Sequence, residues 1–248
     1  MQLELQEQVA LVRMDAGKAN AISPAFLDAM NRLLDEIERS PAQAIVLTGT
    51  GKAFSAGLAL PLLIELDRPH MTTFIDSFNR TMVRLFDVTR PMVAAVNGHA
   101  IAGGCVLAMQ ADYRLITDAP CKIGLNEVVL GIGLPTVVVE TLRCQVPPAS
   151  LLPIALEGRL FAPAEALALG LVHEVVPEAR LLERAMEKAR ELAALPASAV
   201  RQVKASLRSH VSGVVHRASA DDTRGWVQTW FSDEGQQRLR AAVARLKG

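Results

Sequence analysis

Met92-Val93-Ala94-Ala95-Val96-Asn97-Gly98-His99-Ala100-Ile101-Ala102-Gly103-Gly104-Cys105 is the stretch on which the fold turns. Met92 to Asn97 is continuously apolar and short, the pattern of a strand buried on both faces of a parallel sheet. Gly103-Gly104 then opens a helical run, Cys105 to Gln110. Two further apolar runs flank this unit: Ala44-Ile45-Val46-Leu47-Thr48-Gly49 before it and Tyr113-Arg114-Leu115-Ile116 after it. Ahead of the first run, Ser23-Pro24 begins a helix, with a hydroxyl at the cap and Pro at the first helical position. Phe26, Met30, Leu33, Leu34 and Ile37 give that helix one apolar face. Residues 3–14 read as a strand or hairpin. The order β–α–β–α predicts an α/β unit with crossover helices.

After about residue 136 the texture changes. Helical patterns dominate from Pro163 onward, with breaks expected at Gly170, Pro177, Leu195-Pro196 and Gly225. No internal repeat or low-complexity segment is evident. The 248 residues suit one large domain or one domain with a helical appendage, and a 50% hydrophobic content supports a sizeable core. The charge balance, 26 basic against 26 acidic residues, argues against a sequence-independent nucleic-acid binder. Three cysteines, Cys105, Cys121 and Cys144, do not make a disulfide framework and suit a reducing cytoplasm. Neither a signal peptide, nor a peroxisomal address, nor an uninterrupted apolar run of about 20 residues is visible, so a cytoplasmic protein without a membrane span is expected.

Three segments could carry chemistry. Gly51-Lys52-Ala53-Phe54-Ser55-Ala56-Gly57-Leu58 follows a buried strand, but it is not a phosphate loop. Val46 stands where the first glycine is needed, and Ala53 replaces the hydroxyl. Small residues at Ser55, Ala56 and Gly57 instead let a ligand approach the main chain, although an ordinary strand-to-helix turn would use them too. In the second segment, Gly103-Gly104 exposes amides at a helix start, where an oxyanion can bind, and lacks the spacing of a dinucleotide site. Cys105 has no histidine partner and reads as a small core residue. In the third, Glu127 is the sole charged residue between Lys122 and Glu140. In apolar surroundings its pKa would rise into the range useful for acid–base work; at a surface turn it would be unremarkable.

Taken together and in this order, the segments resemble the crotonase superfamily, the enoyl-CoA hydratase/isomerase family. The likeness covers nearly the whole chain. It includes Lys18-Ala19-Asn20-Ala21, Phe54-Ser55-Ala56-Gly57, Gly103-Gly104-Cys105 and Ala111-Asp112-Tyr113-Arg114. It continues through Ala162-Pro163-Ala164-Glu165-Ala166, Gly170-Leu171-Val172 and Phe231-Ser232-Asp233-Glu234-Gly235. The resemblance implies an α/β crotonase (ClpP-like) spiral of ββα repeats over residues 1–190, with a helical trimerisation region over 191–248. It implies an acyl-CoA substrate, no separate cofactor, no metal, and a homotrimer or pair of trimers. The amides of Leu58 and Gly103 would form an oxyanion hole. The main chain of Ala56 would meet the adenine, and Lys18, Ala19 and Ala21 would line the coenzyme A channel. Gly57, Val106 and Asn126 would complete the substrate contacts.

Hydratases of the superfamily use two glutamates, one directly after the Gly-Gly-Cys segment and one in the later loop. Here the later one is Glu127 and the earlier position is Val106. Gly124-Leu125-Asn126-Glu127 with Leu130-Gly131-Ile132 resembles the mitochondrial Δ3,Δ2-enoyl-CoA isomerases. That implies a single-carboxylate proton shuttle from C2 to C4. Ala59 departs from the family's common Asp, so Leu60 to Ile64 would shape the acyl pocket. Other thioester reactions (slow hydration, decarboxylation, hydrolysis) and a non-catalytic RNA- or protein-binding module remain as alternatives. His99 reads as exposed or supporting, and His210 and His216 lie off metal-pair spacing. Asp112 and Arg114 read as structural. Trp226, Trp230 and Phe231 read as core or subunit packing, or as a lid over a neighbour's acyl pocket.

Overall fold

The chain is described by a computed structural model over residues 1–217 and 220–247. The strands are β1 (Gln2–Gln6), β2 (Val9–Met14), β3 (Ala44–Gly49), β4 (Ala53–Ser55), β5 (Met92–Val96), β6 (His99–Ile101), β7 (Tyr113–Thr117), β8 (Ile123–Gly124) and β9 (Glu174–Val176). The helices are α1 (Pro24–Arg39), α2 (Leu60–Leu63), α3 (Arg68–Asp87), α4 (Gly103–Met109), α5 (Thr136–Gln145), α6 (Leu151–Ala155), α7 (Pro163–Ala168), α8 (Leu181–Ala193), α9 (Ala197–His216), α10 (Ala220–Trp230) and α11 (Asp233–Lys247).

A six-stranded sheet runs β1-β2-β3-β5-β7-β9, and a smaller one runs β4-β6-β8. The β1–β2 hairpin is antiparallel; every other pairing is parallel. The chain visits the two sheets in turn. β3, β5 and β7 each enter the large sheet, and the strand after each enters the small one before a helix returns. Those three ββα turns make the spiral of the crotonase fold.

Alternation along the strands explains why the large sheet is dry on both sides. Val9, Leu11, Ala44, Val46, Val93 and Ala95 face one way, against Leu181, Ala185, Met186 and Ala189 of α8. Ala10, Val12, Ile45, Leu47, Ala94 and Val96 face the other way, into the main core. A period of two thus supplies both cores from one set of runs. α1 begins as expected: the Phe26 amide donates to Ser23 Oγ at 3.2 Å, and its apolar face is buried.

Two expectations need correction. Glu174–Val176, in the stretch read as helical, is a strand that pairs with Leu115 to Thr117 and extends the sheet. Gly225 does not break a helix; it lies inside α10, with open space where a side chain would stand. The break at Leu195-Pro196 holds, with Pro196 capping α9. α8 runs across residue 190, and α10 and α11 fold back so that α10 packs on α3 and α11 on α2. Among the described residues, no helix is long and apolar enough to cross a membrane.

Candidate active site

The site is assembled where the two sheets exchange strands. Asn20, 1% exposed, knots the first part of it. Its Oδ1 accepts from the Ala16 amide at 2.9 Å, and its Nδ2 donates to the carbonyls of Ala53 and Phe54 at 3.3 and 3.2 Å. Ser55 Oγ donates back to the Asn20 carbonyl at 2.8 Å, and the Ala56 amide to that of Ala19 at 2.9 Å. The turn at 18–20 and the loop after β4 are therefore one rigid body.

Gly57 follows with φ of 81°, a conformation that favours glycine. Ile22 bridges to Leu58: the Ile22 amide donates to the Gly57 carbonyl at 2.8 Å, and Ala59 donates to the Ile22 carbonyl at 2.9 Å. In a parallel bridge of that pattern the middle residue's own N–H points away from its partner, which leaves the Leu58 amide free to face a ligand. A Cβ on Gly57 would stand 3.1 Å from the Gly103 nitrogen, so the two glycine segments are pressed together. Gly103 is the first residue of α4, where an N–H has no acceptor within its helix. Ala102 before it is held at φ 51° and ψ −121°, an unusual conformation for a residue with a side chain.

These segments open on a cavity of about 340 Å³. Of the expected site residues, Ala56, Leu58, Gly103, Val106, Asn126 and Glu127 line it. Lys18, Ala19, Ala21 and Gly57 are not in its lining; Ala19 and Gly57 act through the backbone bonds above, and the side chain of Lys18 lies outside the described residues. Glu127 is 8% exposed, and its Oε2 has no hydrogen-bond partner among the described residues. Burial pushes its carboxyl up to about 7, against the smaller lowering effect of its own amide and that of Asn126. Among the described residues it is the sole carboxylate in the lining, and Val106, 1% exposed, offers no second one. Cys105 is fully buried, and its thiol is pushed far above the usual range by burial and by the neighbouring Glu127, which removes it as a nucleophile.

Several lining residues had no signal in the sequence: Ile75 and Phe78 come from α3 and Val138 from α5. Ile132, from the loop after Glu127, and Trp226, from α10, were singled out in the sequence but not as walls of this cavity. Ala242, Arg245 and Leu246 come from α11. Trp226 is thus both core and cavity wall within its own chain. Leu60 is in the lining as well, while Ala59 precedes α2 without a side-chain cap. His99 is exposed, its Nδ1 accepting from the Lys122 amide at 3.2 Å. Asp112 is structural: it accepts from Lys204 and Arg208, each at 2.6 Å. Arg114 is fully buried and donates to the carbonyls of Leu171 and Ala111. Among the described residues no group of three or more His, Cys, Asp or Glu is placed to hold a metal.

Comparison with known proteins adds to this geometry. A family model described as enoyl-CoA hydratase/isomerase matches residues 4–245. The human protein "Enoyl-CoA delta isomerase 1, mitochondrial" is 30% identical over 243 residues, covering 96% of this chain and 80% of its own. A "Putative enoyl-CoA hydratase" of Thermus thermophilus is 35% identical over 208 residues, covering 82% of this chain and 81% of its own. The crystal structure of human mitochondrial Δ3,Δ2-enoyl-CoA isomerase superposes with a TM-score of 0.95 at 29% identity, covering 99% of this chain and 97% of that one.

Proposed function

Because the chain belongs to the enoyl-CoA hydratase/isomerase family, we propose that it is a Δ3,Δ2-enoyl-CoA isomerase working with one glutamate. The observation that carries this reading is the single carboxylate: among the described residues Glu127 stands alone in an otherwise largely apolar lining, and by the family resemblance the position of a hydratase's first glutamate is the buried Val106. A valine can neither orient nor deprotonate water. One carboxyl in a dry pocket suits removal and return of one proton.

In this mechanism the thioester oxygen of a 3-enoyl-CoA accepts hydrogen bonds from the Leu58 and Gly103 amides. Glu127 takes a proton from C2, and the electron pair spreads over C2 to C4 and the oxygen as a dienolate. The same carboxyl returns the proton to C4, so the double bond ends between C2 and C3. Two aimed amides would each contribute roughly 3–4 kcal/mol to stabilising the charged intermediate. A carboxyl near 7 can act as base and then as acid at neutral pH. Ala56 would meet the adenine through its main chain, with Lys18, Ala19 and Ala21 along the coenzyme A channel. The mechanism uses no cofactor beyond the coenzyme A of the substrate. A trimer or pair of trimers belongs to the same reading.

The test is the absorbance of the conjugated enoyl thioester after adding a 3-enoyl-CoA. Wild type should produce it, and Glu127→Gln should be slower by at least about 100-fold, as expected for loss of an acid–base group. Hydration of a 2-enoyl-CoA without any isomerisation would overturn the assignment.

A further inference from the structure

The cavity has a direction. Its outer end is made by exposed side chains, Val129 at 50% and Leu246 at 58%, and its inner end by Ile75, Phe78, Val138 and Trp226, each at most 5% exposed. An acyl chain anchored by its thioester at Leu58 and Gly103 has its apolar surroundings at that inner end. Behind it lies a second cavity of about 700 Å³, between α1, α3, α5 and the α9–α10 region. Trp226 and Pro135 line both cavities. The first turn of α5 straddles the same partition, with Val138 on the inner side and Thr136 and Val137 on the far side. The indole is fixed in place: Nε1 donates to the Gly133 carbonyl at 2.9 Å, and the ring stacks on Trp230 with centroids 5.4 Å apart.

We propose that Trp226 is the chain-length stop of this enzyme, a specificity-determining side chain that closes the acyl cavity against the larger one behind it. The inference rests on the acyl-CoA reading of the site. It assigns the wild-type protein to acyl groups that end at the indole, and it makes the second cavity accessible to longer chains once the ring is removed.

The experiment is calorimetric titration with saturated acyl-CoAs from butanoyl to hexadecanoyl, which bind without reacting. Wild-type affinity should rise with length and then level off where the chain meets the indole. In Trp226→Ala the rise should continue beyond that length, by up to about fourfold for each further methylene taken from water. If the alanine variant does not fold, as judged by its circular dichroism, Trp226→Leu serves, with the plateau displaced to longer chains. A plateau at the same length in wild type and a folded variant, or no plateau in wild type, overturns the proposal. Absence of isomerisation with the length shift intact would sink the proposed reaction and leave this inference standing. Failure of every acyl-CoA to bind wild type would sink both.

Discussion

Glu127 sits 8% exposed with its carboxyl pushed up to about 7, and two measurable consequences follow from that displacement. The proposed first step needs the ionised form, so kcat/KM for a 3-enoyl-CoA should climb as pH rises through about 7 and level off above it. Stability should move the opposite way. In the unfolded chain Glu127 ionises near its ordinary value of 4.5, while the folded protein holds the proton up to about 7. Between those values folding takes up a proton, and stability falls as pH rises. Above the folded value the full cost of the buried charge is present, about 3 kcal/mol. Glu127→Gln, neutral throughout, should therefore be more stable than wild type by about that amount above pH 7, with the gap closing below pH 4.5. Urea denaturation across that range checks it; a gap independent of pH would show that the carboxylate is not desolvated. This residue was legible because its segment isolates one charge among apolar neighbours. Arg245 was not, and Trp226 was read only as packing or as a lid over a neighbour's pocket, since nothing local separates a cavity-lining side chain from a packed or solvated one.

Helix α4 meets β4 through Gly104 rather than through a side chain. A Cβ there would fall 2.1 Å from the Ser55 carbonyl oxygen, a collision of main chain with main chain that no rotamer relieves. Gly104→Ala should push α4 away from β4, displacing Gly103 from Leu58. We expect destabilisation of about 2 kcal/mol or more and loss of most isomerisation, read by thermal unfolding and the enoyl absorbance together. An alanine variant with wild-type melting and turnover would show that the close approach is dispensable. The same element shows how far local patterns reach. Apolar runs such as Ala44–Gly49 and Met92–Val96 declare themselves because both faces are buried. Glu174–Val176 does not, because a short strand at the sheet edge becomes one only through its pairing with β7. Gly225 is tolerated within α10 because helical packing by Trp226 and Val227 outweighs about 1 kcal/mol of propensity.

Across the whole molecule, the α/β half was readable and the placement of the last helices was not. Their apolar residues, Trp226, Val227, Trp230, Leu239 and Val243, are buried on their own chain's core, a long-range choice that periodicity does not specify. An apolar face left exposed among the described residues is on α9, where Val203 is 51% and Leu207 73% exposed, beside Leu195 at 50%. In the trimer proposed above this face would be covered by another copy, and Leu207→Glu should lower the mass seen by light scattering without changing the circular dichroism. An unchanged mass would place the assembly contact elsewhere. The fold-back also sets an order of events during synthesis. The lining extends from Ala56 to Leu246, so the wall that α10 and α11 supply is the last part of the cavity to be synthesised, and a chain lacking it would leave Ile75, Phe78, Ile132 and Val138 without that cover. Apolar surface left uncovered in this way is the kind that aggregates or is held by chaperones.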